Sequence, residues 1–284
     1  MGRPLRLEFP GAFYHVVSRG NAKQAIFESD DDRRLFLGTL SRVIKRHNMI
    51  LHAYCLMQNH FHLLIETPDG NLSRGMHNLN CLYCQTYNSR HDRVGHLFQG
   101  RYRAAVIDED EYFLTVARYI VLNPVRAKIV TYPSGYIWSS YLDTIGARIP
   151  PAFLTVGSIL KEFSEDEEKA RNSYHVFILQ GLDQEISYSL PDCSILGSSE
   201  FVDKLKDMMA TKKTIREIPR RDRFADRPNI ERVIRLGSKQ DERDTGIFLA
   251  FHEFGYRQKE IADHLKLSPS TVSKIIKKME SQGV

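Results

Sequence analysis

The sequence predicts an α+β fold in which an antiparallel sheet is covered by helices on one face, followed by an all-α carboxy-terminal region. Three observations predict it. Stretches rich in aromatic and β-branched residues alternate with stretches of helical spacing in the order β-α-β-β-α-β, with a helix following, which is the order of a ferredoxin-like sandwich. Beyond Pro150-Pro151 the signals weaken. Close to the carboxy terminus three amphipathic helical segments appear in succession.

Taken in order, Phe13-Tyr14-His15-Val16-Val17-Ser18-Arg19 reads as a first strand, stopped by Gly20-Asn21. Asp30-Asp31-Asp32 opens a helix with acids at its positive end, and Leu35, Phe36, Leu40, Val43 and Ile44 carry it to about His47. Met49 to Met57 and His60 to Thr67 read as two strands joined at Gln58-Asn59. After the turn signal Pro68-Asp69-Gly70, helical spacing runs from Leu72 to Tyr87, and Ala104 to Ile107 is a fourth short strand. Glu109-Asp110-Glu111 opens the next helix, which carries Tyr119 and which Pro124 would stop or kink just beyond Asn123.

Glu165 to Ala170 is an acidic helix start and Ser198 to Met209 has helical spacing. Asp244 to Phe254, Gln258 to Leu265 and Ser268 to Met279 are the three terminal helices, the last with an N-cap serine and Pro269 at its first position. The domains expected are 1–148, a helical connector 149–228, and 229–284.

Composition excludes several classes. At 42% hydrophobic, 26% charged and a mean hydropathy of −0.37, with no apolar run near the roughly 20 residues that span a bilayer, the expectation is a cytoplasmic, nucleoid-associated protein with no membrane partner. Cys55, Cys81, Cys84 and Cys193 make no disulfide framework, and Cys81-Leu82-Tyr83-Cys84, without a second C-x-x-C, reads as core packing. Lysine plus arginine against aspartate plus glutamate is 17 to 12 over residues 1–128, 4 to 10 over 129–200 and 19 to 13 over 201–284, so two basic stretches flank an acidic middle. That pattern suits phosphate contacts at both ends, or equally a solvated surface with chance clustering.

The chemistry centres on Met57-Gln58-Asn59-His60-Phe61-His62. Strand side chains alternate, so His60 and His62 leave one face as a pair of imidazoles suited to a divalent metal, provided another group completes its shell. Alternatively they are ordinary polar residues of a solvent face or core. A second stretch, Arg118 to Arg126, places Tyr119 and Asn123 at i and i+4 on one helix face, offering a phenol and a carboxamide oxygen.

The His-x-His triplet, the Tyr119-x-x-x-Asn123-Pro124-Val125-Arg126-Ala127 run, Gly95-His96-Leu97-Phe98-Gln99-Gly100-Arg101-Tyr102 and Trp138-Ser139-Ser140-Tyr141 together resemble the HUH single-tyrosine transposases, most nearly the REP-associated tyrosine transposases, over about residues 9–145. The resemblance implies the same ferredoxin-like fold and a metal-assisted transesterification on single-stranded DNA. It implies His60, His62 and Asn123 as ligands to Mg²⁺ or Mn²⁺, Tyr119 as nucleophile, a covalent 5′-phosphotyrosine, and hairpin-forming repeats as targets. A monomer or a homodimer exchanging the tyrosine helix would each be compatible.

Arg90, Arg93, Arg101 and Arg103, interleaved with aromatic residues between Tyr87 and Arg103, suit capture of a single strand, or equally a structural loop with surface arginines. His96 is left without a role. The terminal helices resemble DnaA-like and related bacterial helix-turn-helix domains, with Ser270, Thr271, Ser273, Lys274 and Lys277 as the candidate recognition residues for duplex DNA. Two other functions compete. One is a helix-turn-helix regulator whose first domain is inactive; the other is a relaxase or rolling-circle initiator, for which no second tyrosine or helicase domain is found.

Overall fold

In a computed structural model, residues 7–182, 195–205, 230–234, 240–252, 256 and 258–281 are described. The chain divides into two compact units, Met1–Lys206 and Asp207–Val284. The first is built on strands β1 (Ala12–Arg19), β2 (Ile50–Met57), β3 (His60–Thr67), β4 (Arg103–Ile107) and β5 (Ile195–Leu196). Their order is β2-β3-β1-β4-β5. The first four strands are antiparallel, as expected, but β5 joins β4 in parallel, so the sheet is mixed.

Helices α1 (Asp30–Arg46), α2 (Leu72–Arg90) and α3 (Glu109–Arg126) do not share one face of this sheet. Phe61, pointing one way from β3, packs on Phe36 of α1 at 4.7 Å between ring centres. His62, pointing the other way, meets Tyr119 of α3. Helices therefore cover both faces, and the expectation of one covered face is corrected. The strands are apolar at both parities, Leu63 and Ile65 on one side and Leu64 on the other, and all three are fully buried. Such strands need cover on both sides.

α1 begins as the acids predict. The Ser29 hydroxyl accepts from the Asp32 amide while the Asp32 carboxylate accepts from the amides of Ser29 and Glu28, a reciprocal cap that satisfies otherwise orphaned donors. α2 buries Leu72, Met76, Leu79, Tyr83 and Tyr87. That phase turns Cys81 outward and leaves Cys84 half-buried, so the C-x-x-C is not core. Cys193 lies outside the described residues.

α3 does not stop at Asn123; it continues to Arg126 with Pro124 inside it. Proline cannot donate to the carbonyl of Ile120. The Asn123 carboxamide offers a replacement, donating from Nδ2 to Tyr119 O at 2.8 Å and, more weakly, to Ile120 O at 3.4 Å.

Much of the expected connector belongs to the first unit's core. With Tyr141 of α4 (Tyr141–Thr144), which precedes the connector, α5 (Gly157–Lys161) and α6 (Glu167–Gln180) bring Ile159, Leu160, Ala170, Tyr174 and Ile178 into one cluster with α3 and the sheet. Residues 199–205, here α7, are helical, and the expected extension to Met209 lies outside the described residues.

The second unit contains α8 (Ile230–Val233), α9 (Gln240–His252), α10 (Gln258–Leu265) and α11 (Pro269–Ser281). Ile234, Ile247, Ala250, Tyr256, Ile261, Ala262, Val272 and Ile276 form its core. The expected helix stop at Gly255 lies outside the described residues.

Candidate active site

β3 lies between β1 and β2, with His62 in register with Val17 and Cys55, and His60 with Arg19 and Met57. The ladder thus fixes both backbones, and the two imidazoles sit 4.9 Å apart between ring centres on one face, as alternation requires. Hydrogen bonding then assigns their protons. The Asn59 amide nitrogen donates to Lys23 O at 3.0 Å, which orients the carboxamide so that its oxygen meets His60 Nδ1 at 2.6 Å. An amide oxygen only accepts, so His60 carries its proton on Nδ1 and keeps a lone pair on Nε2.

His62 is held by a residue that sequence reasoning missed. His15, from β1 and fully buried, places Nε2 2.8 Å from His62 Nδ1. His62 Nε2 is buried without a hydrogen-bond partner among the described residues. A proton there would be an orphaned buried donor, costing about 1–3 kcal/mol, so the proton sits on Nδ1 and donates to His15. The only signal that could have found His15 is its parity on a strand pairing with β3, and that pairing is a tertiary fact.

Burial pushes the pKa values of these rings down, to about 3 for His15, to about 4 for His60, and well below the usual histidine range for His62. All are neutral near pH 7, the state in which an imidazole coordinates metal. Among the described residues no three His, Cys, Asp or Glu side chains are grouped to hold an ion. His15 Nε2 is engaged with His62 Nδ1, so its part in this arrangement is to fix the orientation of the His62 ring.

Tyr119 enters from α3, its ring 5.8 Å from that of His62 and 5.7 Å from that of His15. Burial raises its pKa, and the Arg126 guanidinium, 5.0 Å from the ring centre, works against that rise. Asn123 lies one turn on, its amide nitrogen engaged by the helix backbone. The fold thus brings His60, His62 and Tyr119 together with Asn123 beside them on the same helix, but it adds His15, Asn59 and Arg126.

The four arginines of the 87–103 stretch separate into two pairs. Arg90 bonds Asp31 at 2.9 Å, and Arg93 bonds Gln24 at 3.0 Å with Glu28 at 4.0 Å, so acids of and beside α1 offset both charges. Arg101 and Arg103 instead line a groove of about 1160 Å³ beside α2, together with His96, Gln85 and Tyr102. His96 therefore belongs to this groove. Gly95 and Gly100 hold φ of 101° and 97°, left-handed values that suit glycine, where the loop returns to pair Gln99 N with Arg19 O. Trp138 to Tyr141 closes the opposite sheet edge: Leu56 N donates to Trp138 O and Tyr54 N to the Ser140 hydroxyl.

In the second unit α10 and α11 are joined through Lys266, at φ 53°, and Leu267, with the Ser268 hydroxyl accepting from the Thr271 amide at 3.1 Å. Val272, Ile276 and Met279 face inward. Ser270, Thr271, Lys274 and Lys277 are exposed and Ser273 is half-buried. The hydroxyls of Ser270 and Thr271 also contact that of Ser268, at 2.7 and 2.8 Å.

Comparison with known proteins places both regions. Residues 9–123 match the family described as "Transposase IS200 like". Residues 9–123 form a transposase domain of the IS200-like family. Residues 255–284 match a winged helix-turn-helix DNA-binding family. No curated protein matches the chain. Among solved structures it is similar to a REP-associated tyrosine transposase bound to a REP hairpin, at 15% identity over 55% of this chain and 92% of that one, TM-score 0.45. A putative transposase from Deinococcus radiodurans R1 matches at 16% identity over 42% of this chain and 94% of that one, TM-score 0.31. The tRNA(His) guanylyltransferase of Saccharomyces cerevisiae matches at 8% identity over 70% of this chain and 96% of that one, TM-score 0.33. The IS200-like domain thus spans the strand histidines and both candidate residues of α3, Tyr119 and Asn123, while Arg126 lies three residues past its end.

Proposed function

We propose that this protein is a metal-dependent single-stranded DNA endonuclease and strand transferase, a transposase acting through a covalent 5′-phosphotyrosine on hairpin-forming repeat DNA. The observation that carries the reading is the meeting of Tyr119 with His62, whose Nε2 is buried and unbonded among the described residues. The donor set fits a hard divalent ion such as Mg²⁺ or Mn²⁺: two neutral imidazoles with Nε2 lone pairs, and Asn123, whose amide nitrogen is occupied but whose oxygen can serve as ligand. His60, His62 and Asn123 would hold such an ion, which would supply charge stabilisation at the scissile phosphate.

The chain's own residues do the rest. Asn59 and His15 hold the protons of the two imidazoles on Nδ1. α3 presents the phenol of Tyr119, which attacks phosphorus in line; the P–O3′ bond breaks, and the phenolic proton is in net transferred to the departing 3′ oxygen. The strand is left with a 3′-hydroxyl and a 5′-phosphotyrosine, and reversal rejoins strands without an external energy source. Tyr119 meets histidines of its own chain, which supports a site complete in a monomer. Arg101, Arg103 and the aromatic residues of their groove are proposed to hold the flanking strand.

Tyr119→Phe is expected to abolish denaturant-resistant protein–DNA adducts on a cleavable single strand while binding persists. Cleavage by that variant at the wild-type rate would sink the reading. The winged helix-turn-helix match favours a second reading, a duplex-binding regulator with an inactive first domain. Sequence-selective duplex binding by the full chain, with no metal-dependent nicking of any single strand, would support it.

A further inference from the structure

We propose that Arg126 is a further catalytic residue, its guanidinium receiving the negative charge of the phosphoryl group that passes to Tyr119. This rests on the reading of Tyr119 as nucleophile. Tyr119, Asn123 and Arg126 stand at i, i+4 and i+7 of α3 and so share one face. The Arg126 Cζ lies 5.0 Å from the centre of the Tyr119 ring. Its Nη1 and Nη2 are both shielded from solvent and have no hydrogen-bond partner among the described residues.

Other arginines of this unit are differently placed. Arg148 holds Asp143 through Nε and Nη2, each at 2.6 Å. Arg118 stacks on Phe177 at 4.3 Å and donates to Phe177 O at 3.4 Å. A guanidinium whose terminal nitrogens are kept from water with the fork unfilled carries an uncompensated charge. The anion that the reaction brings answers that charge. When Tyr119 Oη bonds to phosphorus and the P–O3′ bond breaks, the two non-bridging oxygens go on sharing the single negative charge of the diester, on a group now attached to the ring that Arg126 overlies. A planar fork can take both oxygens. In a site shielded from water such contacts are strong, and losing one donor of this kind typically costs about 10²–10³-fold in rate.

The test begins with the full-length protein, Mn²⁺ and a random-sequence pool of single strands. Strands trapped as adducts are resynthesised with either a phosphodiester or an uncharged methylphosphonate at the scissile position. With the phosphodiester, Arg126→Ala is expected to slow single-turnover adduct formation about 10²–10³-fold, and Arg126→Lys by less. With the methylphosphonate, which lacks the charge, the deficit should shrink to less than about tenfold. An equal deficit on both strands, or none on either, overturns the inference and makes Arg126 a packing residue. Should Arg126→Ala fail to fold, the same comparison is made between wild type and Arg126→Lys. If the wild-type protein traps no strand at all, the nucleophile reading fails first and the two failures are told apart.

Discussion

At the scale of the residue, the site is a matter of which nitrogen carries a proton. His60 and His62 offer Nε2 only because Asn59 and His15 engage Nδ1. Partners that orient a ligand typically contribute 10–100-fold to metal affinity. Asn59→Ala is therefore expected to weaken Mn²⁺ binding by about that factor, measured by water-proton relaxation on the protein without DNA. Unchanged affinity would mean that the His60 ring is oriented by the strand alone. His52 shows the same preference for neutrality outside the site. It is buried at the bulge of β2, where burial pushes its pKa down to about 4 although Nε2 lies 3.1 Å from Glu66 Oε2. Glu66 is itself raised by burial, with the Glu109 charge adding to the rise.

The unfolded chain binds a proton at His52 first, near pH 6.5, so stability is whole above that value and falls as the pH drops through about 4. The full shift amounts to about 3 kcal/mol. Urea unfolding at pH 7 and pH 5 should show the loss, and His52→Gln should lessen it. An equal acid loss in the variant would place the effect elsewhere.

At the scale of the element, helix ends position the chemistry. Asp32 accepts from two backbone amides at the start of α1 and from His91 Nε2 at 2.9 Å, tying α1 to the end of α2. Removing it orphans three donors, so Asp32→Ala is expected to cost about 2 kcal/mol by denaturant titration. A change under about 0.5 kcal/mol would show that water replaces the carboxylate without penalty. α3 illustrates how a helix carries a proline: Asn123 donates to the carbonyls of Tyr119 and Ile120, so the segment stays helical to Arg126 and keeps that arginine on the face of the tyrosine. A helix ending at Asn123 would have sent Arg126 elsewhere.

At the scale of the whole molecule, each unit has its own core, one around α3 and the sheet and one around α9, α10 and α11. Their charges differ in use. In the first unit several arginines are neutralised by nearby acids, whereas in α11 Lys274 and Lys277 are exposed on the side away from Val272 and Ile276. If these lysines meet phosphates, a Lys274→Ala/Lys277→Ala variant should bind duplex DNA more weakly and lower the slope of log affinity against log salt by about 2. An unaltered slope would remove them from the interface.

The sequence by itself determined β1 to β4, α1 to α3 except for the end of α3, and the pair of imidazoles, because strand alternation, caps and helical spacing are local: His60 and His62 had to share a face, and Tyr119 and Asn123 had to share another. The short β5, α4 and α5 carried no such local signal. Periodicity also located the two terminal helices and the turn between them. Only the tertiary structure decided that α3 lies over the histidine face while α1 and α2 cover the other, that His15 completes His62, that acids of α1 take up Arg90, and that Arg126 faces Tyr119 with its fork unfilled. Each of these joins residues across different strands or helices, or depends on a proline not breaking a helix, and such pairings are set by the burial of whole faces, which no local pattern encodes.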